Sequence, residues 1–442
     1  LTPDALLAAA GLVGCAAARS AGEQDRIEDV EPRFVVEPDS AEALAALLSW
    51  ASKERLSTVI RGNGTKSGWG RRPTAVDLIV STRRLTRVLS HQHGDLTATI
   101  EAGATLRMVG GELARHGQWL PLSTSFVDAT VGGTVAANDS GPLRQRHGTA
   151  RDLLIGVHLA LADGNLVKAG GNVVKNVAGY DLGKLMSGSF GSLAAIVSAT
   201  FKLAPLPAAS STVVAAFRDR DAFVQAAAAI GSSQLEPAVF DLHVSSENAR
   251  LKPGATTETS HRLLIQFASA PAAVEAQIDA ARRLMAGGEV DVLSGARESD
   301  LWANHGQQIW NGAGAVIRLS WLPAALPAVL AVVDEINQLG DASVELLGRT
   351  GVGAGLIRVH ADVPIQVAAI QRLRNKPELI GNVVVLRGAA AVKEQTDVWG
   401  LSNDVSTLLE GIKQALDPAG ILGAGRGPIG RFPAAVASNA HP

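Results

Sequence analysis

Gly170-Gly171-Asn172-Val173-Val174-Lys175-Asn176-Val177-Ala178-Gly179-Tyr180-Asp181-Leu182, continuing to Ser187-Gly188-Ser189-Phe190-Gly191-Ser192-Leu193, is the stretch on which the fold turns. Its glycines recur at short intervals in apolar sequence. Glycine accepts left-handed dihedrals and leaves no Cβ between the peptide N–H groups and a bound molecule, so such a chain can line a flat ring or a phosphate with main-chain donors. The single tyrosine of the chain, Tyr180, sits inside it. The same letters also fit a loop around a core aromatic, so the reading depends on what accompanies them.

Upstream, Ser40 is placed to cap a helix over 41–52 that carries Leu44, Leu47 and Leu48 on one face. A strand over 56–61 then runs into Arg61-Gly62-Asn63-Gly64-Thr65-Lys66-Ser67-Gly68. A dinucleotide fingerprint would need a helix directly after these glycines, but Trp69-Gly70-Arg71-Arg72-Pro73 follows, and then a strand over 75–80. A phosphate loop of the Walker type is absent as well, because Gly183-Lys184 is followed by Leu185. What remains is a loop of exposed N–H groups with Arg61 and Lys66 beside it, suited to an anionic diphosphate.

A second loop follows a strand over 95–101 and a helix over 105–116. It runs from Pro121 through Thr130-Val131-Gly132-Gly133 to Asn138, and Thr130 before the glycines predicts an anion seat at a helix start. Ser140-Gly141-Pro142 and Arg146-His147-Gly148 make further turns. Strands over 153–161 and 165–168 flank Asp163-Gly164, a type I′ hairpin signal, and a strand over 196–203 closes the region. Three glycine-rich loops thus hang from one α+β scaffold.

Four ordered motifs carry a resemblance: Arg-Gly-x-Gly-Thr at 61–65, Thr-Val-Gly-Gly at 130–133, Arg151-Asp152 before the hairpin, and Lys-Asn-Val-Ala-Gly-Tyr-Asp at 175–181. Over 30–207 the chain resembles the vanillyl-alcohol oxidase, or PCMH, type of FAD-binding domain. The resemblance implies a two-lobed domain holding FAD. Covalent members carry histidine where this loop has Thr65 or Lys66, so noncovalent FAD is expected. It further implies that Arg61, Gly62, Asn63, Gly64, Thr65 and Lys66, with Pro121, Thr130, Val131, Gly132, Gly133, Asn138 and Gly141, hold the diphosphate and ribityl. Val174, Lys175, Gly179, Tyr180 and Ile196 would lie along the flavin and adenine.

The spelling of 171–182 and the tail Ala415-Leu416-Asp417-Pro418-Ala419-Gly420-Ile421-Leu422 resemble the FAD-binding E subunits of bacterial glycolate oxidases. That likeness implies oxidation of glycolate to glyoxylate together with a catalytic flavoprotein subunit and an iron–sulfur subunit, the membrane being reached only through partners. A self-sufficient FAD-dependent 2-hydroxy-acid or alcohol dehydrogenase is the alternative, and a flavin-free structural subunit a third. Phe190, Ala194 and Gly423-Ala424-Gly425-Arg426 depart from the usual letters around the flavin.

Periodicity over 208–395 gives strand, helix, strand, strand, helix, strand, and then the same order again about 100 residues later. Two ferredoxin-like halves sharing one antiparallel sheet are expected, a cap domain, with 396–442 supplying a helix over 404–415 that returns to the FAD domain. In the cap, Arg318 on a strand over 316–321 is the candidate carboxylate clamp and His360 the candidate base, with His305 in the preceding helix a further candidate. Around Gly351 to His360 the sequence lacks the first histidine and the Asp-Gly-Asn core of the hydroxy-acid branch. His91 and His93 sit beside Gly94 with no third ligand in nearby sequence, so no metal is expected.

The composition narrows the classes. With 442 residues, 47% hydrophobic, and a net charge of −2 without a basic run, the chain is globular and has no nucleic-acid signature. One cysteine, Cys15, excludes an internal disulfide framework. No apolar run reaches bilayer length. Residues 1–29 read as a helical extension, with a helix over 3–13. Leu12-Val13-Gly14-Cys15 has lipoprotein-site letters without a basic segment before it, and a cytoplasmic protein is expected.

Overall fold

The computed structural model describes residues 11, 18–171, 181–247 and 258–429. Val174, Lys175, Gly179, Tyr180, Cys15 and, but for residue 11, the helix expected over 3–13 therefore lie outside the described residues. Two compact units divide the chain: the first is Leu1–Ser140, Gly148–Leu206 and Leu401–Pro442, the second Gly141–His147 and Pro207–Gly400.

The first unit opens with a four-stranded sheet in the order β1 (Ala18–Ser20), β2 (Phe34–Val36), β4 (Leu78–Ser81), β3 (Thr58–Arg61). β4 runs parallel to both neighbours and is buried along its whole length, which is why Leu78-Ile79-Val80 is a continuous apolar run and not an alternating one. α1 (Ala41–Lys53) starts at Ser40, whose Oγ accepts the Ala43 N–H at 3.2 Å, a cap worth about 1 kcal/mol. Leu44, Leu47, Leu48 and Ala51 share its buried face. Each leucine contributes roughly 1.5–3 kcal/mol by leaving water.

The second sheet of this unit is antiparallel, in the order β5 (Val88–Gln92), β6 (Thr97–Glu101), β10 (Ala195–Lys202), β8 (Leu154–Ala160), β9 (Leu166–Gly170). α2 (Leu106–Ala114) and α3 (Val131–Ala137) pack on its core, and β7 (Gln118–Trp119) pairs with β11 (Ala204–Pro205). The β8–β9 turn differs from the type I′ expected. Only Gly164 has positive φ, +91°, and its N–H bonds Leu161 O at 3.0 Å, so the loop is a three-residue turn ending in a left-handed glycine. The helix Asn403–Leu416 belongs to this unit: Lys413 Nζ donates to Ser192 O at 2.7 Å and Leu422 O at 2.9 Å, and Thr58 N–H bonds Ile421 O at 2.8 Å.

The second unit is built on β12 (Ala209–Phe217), α4 (Arg220–Gly231), β13 (Val239–Glu247), β14 (Glu258–Ser269), α5 (Pro271–Leu284) and β15 (Glu289–Leu293). α6 (Gly295–Gln308) follows, then β16 (Ala315–Trp321), α7 (Leu326–Asn337), β17 (Ser343–Arg349), β18 (Ala354–His360), α8 (Val363–Arg374) and β19 (Ile380–Arg387). All eight strands form one antiparallel sheet, in the order β15-β12-β14-β13-β17-β18-β16-β19. Each half has its first strand between its third and fourth, and the halves join through their second strands, β13 and β17. The order strand, helix, strand, strand, helix, strand thus occurs twice along this one sheet.

Strand alternation gives this sheet two unlike faces. Val213, Ala215, Leu263, Ile265, Leu242, Val244, Leu346, Ile357 and Ile317 are buried on one, where α4, α5, α7 and α8 pack. The register places Thr212, Gln266, Arg262, Asp241, His243, Glu345, Arg349, Arg358 and Arg318 on the other. α6 lies on this polar face: Glu298 accepts from Ser210 and Thr212 at 2.7 Å and from Gln266 at 2.9 Å.

Candidate functional site

In the first unit, β3 delivers the chain into an open cleft. Residues 59–67 form one wall; Thr130, Gly132, Gly133, Ala136 and Ala137 of the α3 segment, with Ala102, form another; Phe190, Gly191, Ala194, Ile196 and Arg426 complete it. Among the described residues, no protein acceptor takes the N–H groups of Asn63, Gly64, Thr65 or Lys66. Gly64, at φ +74°, turns this run back on itself, leaving a row of main-chain donors on a concave surface. Shape depends on missing side chains too. A Cβ on Gly62 would meet Thr130 Oγ1 at 2.2 Å, and one on Gly132 would meet Ala102 Cβ at 2.7 Å.

The two cations expected to serve a diphosphate are already engaged. Arg61 pairs with Asp25 at 2.5 Å, inside the protein. Lys66 Nζ lies 3.2 Å from Asp139 Oδ2 as a charge pair without hydrogen-bond alignment, and sits against the rings of both Trp69 and Phe126. The charge of an anion here would fall on the main-chain donors. The anion seat expected at Thr130 is likewise spoken for: Val131 N–H bonds Ala104 O at 2.9 Å, Gly132 N–H bonds Ala102 O at 2.8 Å, and Gly133 N–H bonds Thr130 Oγ1 at 3.3 Å. The start of α3 therefore supplies fit and not donors.

Of the residues read from sequence, Arg61, Gly62, Asn63, Gly64, Thr65, Lys66, Thr130, Gly132, Gly133 and Ile196 line the cleft. Val131 is fully buried in the core, Pro121 is buried away from the lining, and Gly141 belongs to the second unit. Asn138 adopts φ +44° and ends α3; its Oδ1 is buried and has no hydrogen-bond partner among the described residues. Sequence reading missed Arg426 as an organiser. Its guanidinium donates to Lys66 O, to Ser67 O and, at 2.9 Å, to Trp69 O, clamping the donor loop from behind. Burial pulls its pKa down to about 10, far enough above neutrality to keep it charged. The signal lay in the segment 423–426, noted in the sequence only as a departure from the usual letters. Phe190, another departure, lines the cleft at φ +56° with its N–H on Ala136 O at 2.8 Å.

On the polar face of the second unit's sheet, His305 Nε2 is 3.0 Å from Asp241 Oδ2, and His243 Nε2 is 2.9 Å from Glu345 Oε1. The two rings are 6.3 Å apart. Burial holds the His305 pKa below its ordinary value, against the pull of Asp241. Burial alone would raise the Glu345 carboxyl, but His243 and Arg358 outweigh it and hold that group low. A cavity beside them is lined by His243, Arg262, Asp291, Arg297, Asn304 and His305. Arg262 is exposed and pairs across the ladder with His243. Arg318 and His360 are not brought together: Arg318 pairs with Leu356, four residues before His360, which at about 3.3 Å per residue is roughly 13 Å along the strand. His360 is exposed at the strand end. The alternation Asp241-Leu242-His243-Val244 was the available signal for the pair that does converge.

A third ring does stand beside His91 and His93. The turn after α2 returns His116 to them, so the expectation of no third ligand is corrected by a residue remote in sequence. Among the described residues, no helix is long and apolar enough to cross a membrane.

Comparison with known proteins fits this geometry. The model of an FAD binding domain matches residues 32–170. Glycolate oxidase subunit GlcD of Bacillus subtilis (strain 168) is 26% identical over 419 residues, 89% of this chain and 88% of its own. Glycolate oxidase subunit GlcE of Escherichia coli (strain K12) is 32% identical over 203 residues, 46% of this chain and 56% of its own. The E-subunit likeness is thus partial, whereas the D-subunit likeness runs nearly end to end. A solved alkyldihydroxyacetonephosphate synthase shares the fold, with a TM-score of 0.64 and 16% identity over 89% of this chain and 76% of that one. Main-chain donors, side-chain-free walls and the domain match agree: residues 32–170 are an FAD binding domain of the PCMH type, and the chain is an FAD-dependent oxidoreductase.

Proposed function

We propose that this chain oxidises a small 2-hydroxy acid with noncovalent FAD, as the flavin-bearing subunit of a glycolate oxidase-like complex. The near end-to-end likeness to a glycolate oxidase subunit carries this reading. In it, Asn63 to Lys66 receive the diphosphate on their N–H groups, with Gly62, Gly132, Gly133 and Ile196 giving the cofactor room. Bound FAD would supply a two-electron acceptor for the hydride on the carbon that bears the hydroxyl. On the polar face of the second unit's sheet, Arg262 is a group suited to pair with an acid's carboxylate, and His243, its ring oriented by Glu345, a group suited to accept a hydroxyl proton. Arg318, on the same face, is a second carboxylate candidate.

Partners of the kind expected, a second flavoprotein subunit and an iron–sulfur subunit in the cytoplasm or at the membrane surface, would take the electrons onward. The near end-to-end likeness, at 27% identity, to a D-2-hydroxyglutarate dehydrogenase of Xanthomonas citri pv. viticola supports a second reading, in which the chain turns over without them. Anaerobic titration of the FAD-loaded chain with glycolate, D-lactate and D-2-hydroxyglutarate tests both. Bleaching of the flavin by one of these acids supports the reaction class, and turnover with an artificial electron acceptor supports self-sufficiency. A flavin that none of them bleaches, alone or with added partners, overturns the proposal.

A further inference from the structure

We infer that His91, His93 and His116 form a surface site for a divalent transition-metal ion of the zinc or nickel kind, apart from the FAD cleft.

The rings come from three points of the first unit: His91 from β5, His93 from the turn after it, and His116 from the turn between α2 and β7. Their centroids are 4.1 Å apart for His91 and His93, 4.0 Å for His93 and His116, and 5.2 Å for His91 and His116. One ligand atom from each lies within 4.8 Å of the other two. Nitrogens around a tetrahedral ion at about 2.0–2.1 Å stand roughly 3.3 Å apart. His93 and His116 are exposed, so they can swing the remaining distance without disturbing a core.

Gln118 supplies an independent sign of a built site. It is buried, and its Nε2 donates to the His93 carbonyl at 2.9 Å. A carbonyl only accepts, which fixes the amide so that Oε1 faces His91 Nε2, also at 2.9 Å. His91 Nε2 must then carry the proton, leaving Nδ1 with its lone pair. This is the arrangement in which an outer hydrogen bond sets the tautomer and aim of a ligating imidazole. Gln118 thereby ties two of the three ligands together, one through its ring and one through its main chain.

Three imidazoles with no thiolate or carboxylate among them select zinc, nickel, copper or cobalt over magnesium and calcium. Three protein ligands leave the fourth position to water or to a group from another molecule. A bound ion would clip the end of β5 to the turn after α2.

Isothermal titration of the full-length FAD-loaded protein with zinc chloride and with nickel chloride tests the site, alongside H93A, H116A and the distant exposed variant H360A. The expected result is one ion per chain, binding weakened at least tenfold in H93A and H116A and unchanged in H360A, and a melting temperature raised by zinc only where the site is intact. Flavin content, equal in all four proteins, shows that each is folded. No saturable binding, or binding that survives both H93A and H116A, would overturn the inference.

Discussion

Gly62 and Thr130 fit each other through the absence of one methyl group: a Cβ at residue 62 would stand 2.2 Å from Thr130 Oγ1 and 2.9 Å from its Cγ2. The donor loop and the cap of α3 are one fitted unit. Gly62→Ala is expected to destabilise the fold by about 1–3 kcal/mol, as overpacking does, and to weaken FAD binding at least tenfold. Thr130→Ala in the same chain removes both obstructing atoms and should restore part of each loss, a coupling that the double-mutant cycle reads directly.

Arg426 holds the donor loop by three carbonyls. Bonds to a charged donor are worth about 1.5–3 kcal/mol each in favourable cases. Arg426→Ala should lower the melting temperature and lose flavin. Arg426→Lys should recover part of the loss, because the three carbonyls converge on one guanidinium nitrogen and an ammonium carries three donors on one atom. Retention of full flavin content by both variants would show that the loop holds itself.

Asp25 sets an acid limit. Hydrogen bonds from Arg19, and behind them Arg61 and the Gly22 N–H, hold its carboxyl well below the usual range against the opposing effect of burial. A folded pKa below the unfolded one means stability present above the unfolded pKa, about 3.9, and lost as pH falls below it towards the folded pKa. Asp25→Asn should therefore be less stable than wild type at pH 7, with the gap narrowing as pH falls below about 4. Denaturant melts at several pH values test this, and a gap that is constant with pH would contradict it.

The polar sheet face makes a choice between two arginines. Arg262→Met should raise the acid concentration needed for half-bleaching of the flavin at least tenfold, and His243→Gln should slow bleaching by about 10²–10⁴-fold, as loss of a proton acceptor does. His360→Ala should leave both unchanged. If Arg318→Met alone weakens the acid, the carboxylate lies on the second half of the sheet.

Much of this was legible in the sequence because it is local. Ser40 capping α1, the buried run of β4 and the paired βαββαβ orders follow from period and punctuation. The loop at 61–68 was found because glycine spacing is a local signal. What escaped was set by distance along the chain. Asp25 and Asp139 neutralise Arg61 and Lys66 from 36 and 73 residues away, so cations that look free in sequence are internal pairs. Arg426 reaches the loop from about 360 residues on. His116 joins His91 and His93 only because α2 reverses the chain. The pairing of His243 with Glu345 needs the register of β13 on β17, which nothing short of the assembled sheet supplies.

The account rests on main-chain donors at Asn63 to Lys66 receiving the diphosphate of FAD. Its most direct test is equilibrium titration of the flavin-stripped chain with FAD and with riboflavin, which lacks the diphosphate. The account predicts one FAD per chain, released intact on denaturation, and riboflavin bound at least a hundredfold more weakly. Equal affinity for the two, or a chain that takes up no flavin, would contradict it.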